Sequence, residues 1–122
     1  PRILGSILND FYTGIERIFR KIAEECDGGI PNGESWHKEL LRNMALELEG
    51  IRPAVITNEL REELEEYLGF RHVFRNIYGF QLEPERLKRL LQRFDEVFSQ
   101  FKNSITKFNG FLKKLADEID QG

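Results

Sequence analysis

The chain has 122 residues, of which 40% are hydrophobic and 32% charged, with a formal net charge of −3. That length supports one hydrophobic core, so a single domain over residues 1–122 is expected, and the composition excludes a disordered polar chain. The lone Cys26 excludes a disulfide framework and gives no basis for structural zinc, the charge gives no general attraction to nucleic acid, and no ~20-residue apolar run is present to cross a membrane.

A cytoplasmic location is expected, and no cofactor or metal is called for. Pro1 in place of methionine is the expectation for a processed or trimmed chain. Residues Ile3 to Cys26 place Leu4, Leu8, Phe11, Ile15, Ile18 and Ile22 at spacings of four and three, which predicts a first helix with those side chains on its buried face. The following Asp27-Gly28-Gly29-Ile30-Pro31-Asn32-Gly33 is a loop. Ser35 is the expected N-cap of a second helix that runs to about Glu49 and buries Trp36, Leu40, Leu41, Met44 and Leu48. Gly50 to Ile56, with Arg52-Pro53, reads as a connector, because a residue before proline avoids the helical region.

Thr57 caps a third helix that is expected to reach about Tyr78 and stop at Gly79. Its outer surface opens with Glu59, Glu62, Glu63, Glu65 and Glu66. Pro84 starts the fourth helix. There Leu87, Leu91, Phe94, Phe98, Phe101, Ile105, Phe108, Leu112, Leu115 and Ile119 alternate by four and three over more than four heptads, which predicts a continuous helix with one apolar seam. A helix of roughly 35 residues spans about 50 Å, so one end is expected to project or join a dimer. The fold class is therefore all-α, an antiparallel four-helix bundle with a long C-terminal helix.

On the third helix, 100° per residue places Leu60, Leu64, Tyr67, Arg71, Phe74 and Tyr78 in one arc. Arg71 is then central on an apolar face and needs a carboxylate, a set of carbonyls or a ligand phosphate. Arg75 follows one turn later, with His72, Asn76 and Tyr78 adjoining. The other histidine, His37, reads as structural or surface. Arg86, Lys88, Arg89 and Arg93 join Arg71 and Arg75 around the turn into the fourth helix, where a solvated face is the simpler account and an RNA or acidic partner the alternative.

The run Gly69-Phe70-Arg71-His72-Val73-Phe74-Arg75-Asn76-Ile77-Tyr78-Gly79-Phe80, followed by Leu82-Glu83-Pro84-Glu85-Arg86, resembles the HepT-like branch of the HEPN domains. Trp36-His37-Lys38-Glu39-Leu40-Leu41, Met44 and Arg52-Pro53-Ala54-Val55-Ile56 are similar to that branch as well. The resemblance implies a HEPN-like helical bundle that dimerises, a metal-independent endoribonuclease activity, and a role as the toxin neutralised by a minimal nucleotidyltransferase encoded beside it. It places Arg71 at the motif arginine and Tyr78 at the tyrosine that the nucleotidyltransferase can adenylylate. Asn76 stands where the family has histidine, and a carboxamide cannot accept the proton of a ribose 2′-hydroxyl as neutral imidazole does. His72, one turn before Asn76, is the candidate substitute base. Arg71 and Asn76 lie about 140° apart around a regular helix, so a joint site is expected to need a dimer cleft or a distorted last turn. Three readings stay open: an RNA-directed toxin, a catalytically inactive HEPN module that binds or regulates a nucleotidyltransferase, and a plain oligomerisation module.

Overall fold

The computed structural model describes residues 2–76 and 83–121. Among these residues four helices follow in chain order: α1 (Arg2–Cys26), α2 (Trp36–Met44), α3 (Asn58–Asn76) and α4 (Pro84–Gln121). Helix α3 lies at the centre of the pairings and runs antiparallel to both α1 and α4. Arg71 meets Glu16 while Arg2 sits over Phe74, and Glu63 and Tyr67 reach forward to Arg93 and Leu90. Phe11 packs on Phe94 and Phe19 on Phe101, so α1 and α4 share a direction.

The buried line of α1 is Leu8, Tyr12, Ile15, Glu16, Phe19 and Ala23, while Ile18 is 40% exposed. The arc predicted from the aliphatic residues is thus rotated by roughly 70° from the buried one. Tyr12, Phe19 and Ala23 pack inward, whereas Leu4, Phe11 and Ile22 occupy the flank. The rotation also brings Glu16 inside, where a charged group is tolerated only with a partner.

Helix α2 ends at Met44, well short of the expected Glu49. The chain beyond it folds back on the helix end: the amides of Ala45 and Leu46 donate to the Arg42 and Asn43 carbonyls, those of Val55 and Ile56 to the Met44 carbonyl, and the buried Arg52 guanidinium grips the Asp27 carboxylate at 2.7 and 2.9 Å and donates to the carbonyls of Asn43, Leu46 and Pro53. Carbonyls at the helix end are thereby satisfied without another turn. The chain reverses at Gly50, whose φ of +77° suits glycine, and Leu48 pairs with Arg52. Ser35 makes no side-chain cap bond, contrary to its expected role.

The Leu60 amide donates to Thr57 Oγ1 at 3.1 Å, which is the predicted cap of α3. Leu60, Leu64, Tyr67, Phe70, Arg71 and Phe74 are buried along this helix. Its expected end at Tyr78 and Gly79 lies outside the described residues. Tyr67 ties α3 to α4 by donating its hydroxyl to the Leu90 carbonyl at 2.6 Å. Burial, and then the nearby charge of Glu63, push that phenol up to about 12.

Helix α4 is continuous, as its heptads predict, and at 38 residues it spans about 57 Å. Leu87, Leu90, Val97, Phe101 and Phe108 are buried, so Leu90 and Val97 hold positions given above to Leu91 and Phe98. The stripe leaves the core after Phe111, and Leu112, Leu115 and Ile119 are exposed because the shorter α1 and α3 do not cover them. Among the described residues, no helix is long and apolar enough to cross a membrane.

Candidate functional site

Arg71 points into the bundle and is 4% exposed. Its Nη2 donates to both oxygens of Glu16, at 3.0 and 3.1 Å, and Nη1 reaches Thr13 Oγ1 at 3.4 Å. The guanidinium carbon lies 5.0 Å from the centroid of the Tyr12 ring, a cation–π distance. A carboxylate from another helix thus meets the need inferred for this arginine. The Tyr12 hydroxyl is buried and has no hydrogen-bond partner among the described residues. Burial, reinforced by the Glu16 charge, holds that phenol far above the ordinary tyrosine range and keeps it protonated.

His37, at the start of α2, places Nδ1 2.8 Å from Glu16 Oε2. The ring stacks on Trp36 at 3.7 Å between centroids, and the guanidinium of Arg20 from α1 lies over the Trp36 ring at 5.3 Å. His37 is thus half-buried and contacts the buried Arg71–Glu16 pair, so of the two roles expected for it the structural one is seen. Glu16 and His37 are the contacts of Arg71 that sequence reasoning missed. Glu16 could have been found by following the Tyr12–Phe19 line, on which it falls at four and three residues. His37 carried no such signal, since its position depends on how α2 crosses α1.

A cleft of about 490 Å³ opens between the start of α2 and the end of α3. Ser35, His37 and Lys38 line one side, and Arg71, His72, Arg75 and Asn76 the other. Arg71 and Asn76 thus share a cleft within one protomer, with α3 undistorted through Asn76. Both residues are in its lining, though their side chains do not meet: Arg71 is held by Glu16 and the Asn76 amide by the His72 carbonyl. His72, Arg75 and Asn76 are exposed, and Arg75 and Lys38 make no ion pair among the described residues. Tyr78 lies outside the described residues.

The Asn76 amide turns back onto its own helix. Nδ2 donates to the His72 carbonyl at 2.8 Å and lies 3.3 Å from His72 Nδ1. Two of the arginines near the turn into α4 are engaged by the acidic start of α3. Arg93 holds Glu63 at 2.6 Å and Glu96 at 2.9 Å, and Arg89 meets Glu66 at 3.6 Å. That face is a mixed-charge seam between two helices rather than a basic track. Among the described residues, no group of three or more His, Cys, Asp or Glu side chains is placed to hold a metal ion.

Four helices with a long last member, built around an inward arginine beside a polar cleft, define an all-α HEPN-like bundle. The chain belongs to the HepT-like family, whose model, described as HepT-like protein, matches residues 3–112. Among curated proteins and among solved structures, none matches significantly.

Proposed function

We propose that this protein is the RNA-directed toxin component of a toxin–antitoxin pair, acting in the cytoplasm as a homodimer and opposed by a minimal nucleotidyltransferase. Membership of the HepT-like family supports the reading. The observation that carries it is the cleft in which Arg71, His72, Arg75 and Asn76 meet. In this reading Arg71 anchors the site, Arg75 supplies positive charge to the RNA phosphate, and Tyr78 is the residue that the partner modifies. Because the guanidinium of Arg71 is balanced by Glu16, it sets the cleft's shape, and Arg75 and Lys38, which make no ion pair among the described residues and share the lining with Glu34, are the cations offered to an incoming phosphate.

Asn76 in the histidine position favours slow cleavage, since a positioned general base contributes about 10²–10⁴-fold. The test is cleavage of an RNA oligonucleotide by purified protein in the presence of a chelator. Asn76→His is expected to raise the rate by about 10²-fold, and Arg71→Ala to abolish it in that background. No cleavage by Asn76→His would favour the second reading, an inactive HEPN module whose cleft and Tyr78 serve a nucleotidyltransferase. The amide folded back on His72 is the observation behind that alternative.

A further inference from the structure

The two histidines of the cleft are held by different neighbours, and those neighbours dictate opposite tautomers. Glu16 Oε2 lies 2.8 Å from His37 Nδ1. A carboxylate only accepts, so Nδ1 carries the proton and Nε2 is the bare nitrogen. Arg71 Nη2 also contacts Nδ1, at 3.1 Å, sharing its two hydrogens among that nitrogen and the two Glu16 oxygens, and the shorter Glu16 contact is the one that sets the tautomer. The reverse tautomer would set a lone pair against Glu16 and is disfavoured. At His72 the order is inverted. The Asn76 amide is oriented by its bond to the His72 carbonyl, and the same NH2 faces His72 Nδ1 at 3.3 Å. Nδ1 therefore accepts, and neutral His72 presents Nε2–H.

We infer that His37, oriented by Glu16, is the proton acceptor of this cleft, and that His72 is a hydrogen-bond donor to a phosphodiester bound there. This rests on the RNA-directed reading given above. His37 Nε2 takes the proton of a ribose 2′-hydroxyl as the 2′-oxygen forms its bond to phosphorus. The bond from phosphorus to the 5′-oxygen breaks, and that oxygen takes a proton from water. The proton on His37 then returns to the hydroxide left behind, so the enzyme is unchanged and the products are a 2′,3′-cyclic phosphate and a 5′-hydroxyl. His72 Nε2–H donates to a non-bridging oxygen, and Arg75 and Lys38 balance its charge. Glu16 is a positioning residue that acts through His37. The charged and titratable groups around His37 are Glu16 from α1, Arg71, His72 and Arg75 from α3, and Glu34 and Lys38 beside it in the chain.

The experiment measures metal-free cleavage of an RNA oligonucleotide against pH for the unmodified protein, His37→Gln, Glu16→Gln, His72→Gln and Asn76→His. The unmodified protein is expected to cleave slowly, with a rate that rises and then levels as a histidine loses its proton. His37→Gln should lower the rate about 100-fold and remove the rising limb. His72→Gln should lower the rate and keep the limb, and Glu16→Gln should lower the rate and shift the His37 proton from Nδ1 toward Nε2 in long-range proton–nitrogen spectra. Cleavage by a folded His37→Gln at the unmodified rate overturns the inference and leaves the RNA-directed reading standing. So does cleavage by Asn76→His alone, whereas silence of both it and the unmodified protein overturns the two together. Long-range proton–nitrogen correlation spectra of the unmodified protein give a check that needs no variant. His37 should be protonated on Nδ1 and His72 on Nε2, and a His37 proton on Nε2 overturns the assignment.

Discussion

Glu16 receives two hydrogen bonds from a single nitrogen of Arg71 and a third from His37, with both charged side chains more than nine-tenths buried. Removing one partner of such a pair leaves an uncompensated charge in the bundle, whereas replacing both with apolar groups of similar volume removes the desolvation cost as well. Glu16→Ala or Arg71→Ala is therefore expected to cost about 3–5 kcal/mol. The double change Glu16→Met with Arg71→Met should recover most of that loss. Urea denaturation of the three variants checks this, and a double variant no more stable than the singles would contradict it. A loss of activity in Arg71→Ala is therefore interpretable only beside a folding measurement. Arg71 was legible as an inward arginine from helical arithmetic, but its partner was not, because Glu16 is 55 residues away and its alignment with Arg71 depends on how α1 and α3 cross.

The two helix starts expected from capping residues behave differently. Thr57 accepts the Leu60 amide, whereas Ser35 makes no cap bond. Thr57→Ala is accordingly expected to cost about 1 kcal/mol. Ser35→Ala should stay within about 0.5 kcal/mol, the range of an ordinary surface change. Thermal melts of the two variants would show the contrast, and equal losses would contradict it. Cap residues can be read from sequence, but whether the hydroxyl turns to the free amide depends on how the loop enters. Thr57 follows the connector pinned by the amides of Val55 and Ile56 on the Met44 carbonyl, while Ser35 follows a glycine-rich loop. The early end of α2 has the same character, since Arg52, Val55 and Ile56 reach back from beyond the helix to the carbonyls of Asn43 and Met44.

Across the whole molecule, α4 outruns its partners, and the exposed end of its stripe at Leu112, Leu115 and Ile119 is the natural seat of the proposed homodimer. Leu112→Glu with Leu115→Glu should convert a dimer to a monomer in light scattering, while each protomer keeps its stability within about 1 kcal/mol, two surface changes of ordinary size. Phe101→Ala, where α4 packs on Phe19, should instead cost about 3–5 kcal/mol. A dimer that survives both charged substitutions would place the interface elsewhere.

The number of helices, the start of α3, the continuity of α4 and the inward direction of Arg71 follow from the sequence alone, because each depends on spacing within one segment. The family was legible for the same reason, its motif lying in one run around Arg71. Tertiary structure decided the rest. It set which arc of α1 is buried, gave Arg71 its carboxylate, stopped α2 where Arg52, Val55 and Ile56 fold back on its end, and brought His37 to the cleft beside His72 and Asn76. Each of these joins residues from different helices, and periodicity within a helix carries no information about the angle at which a second helix crosses it.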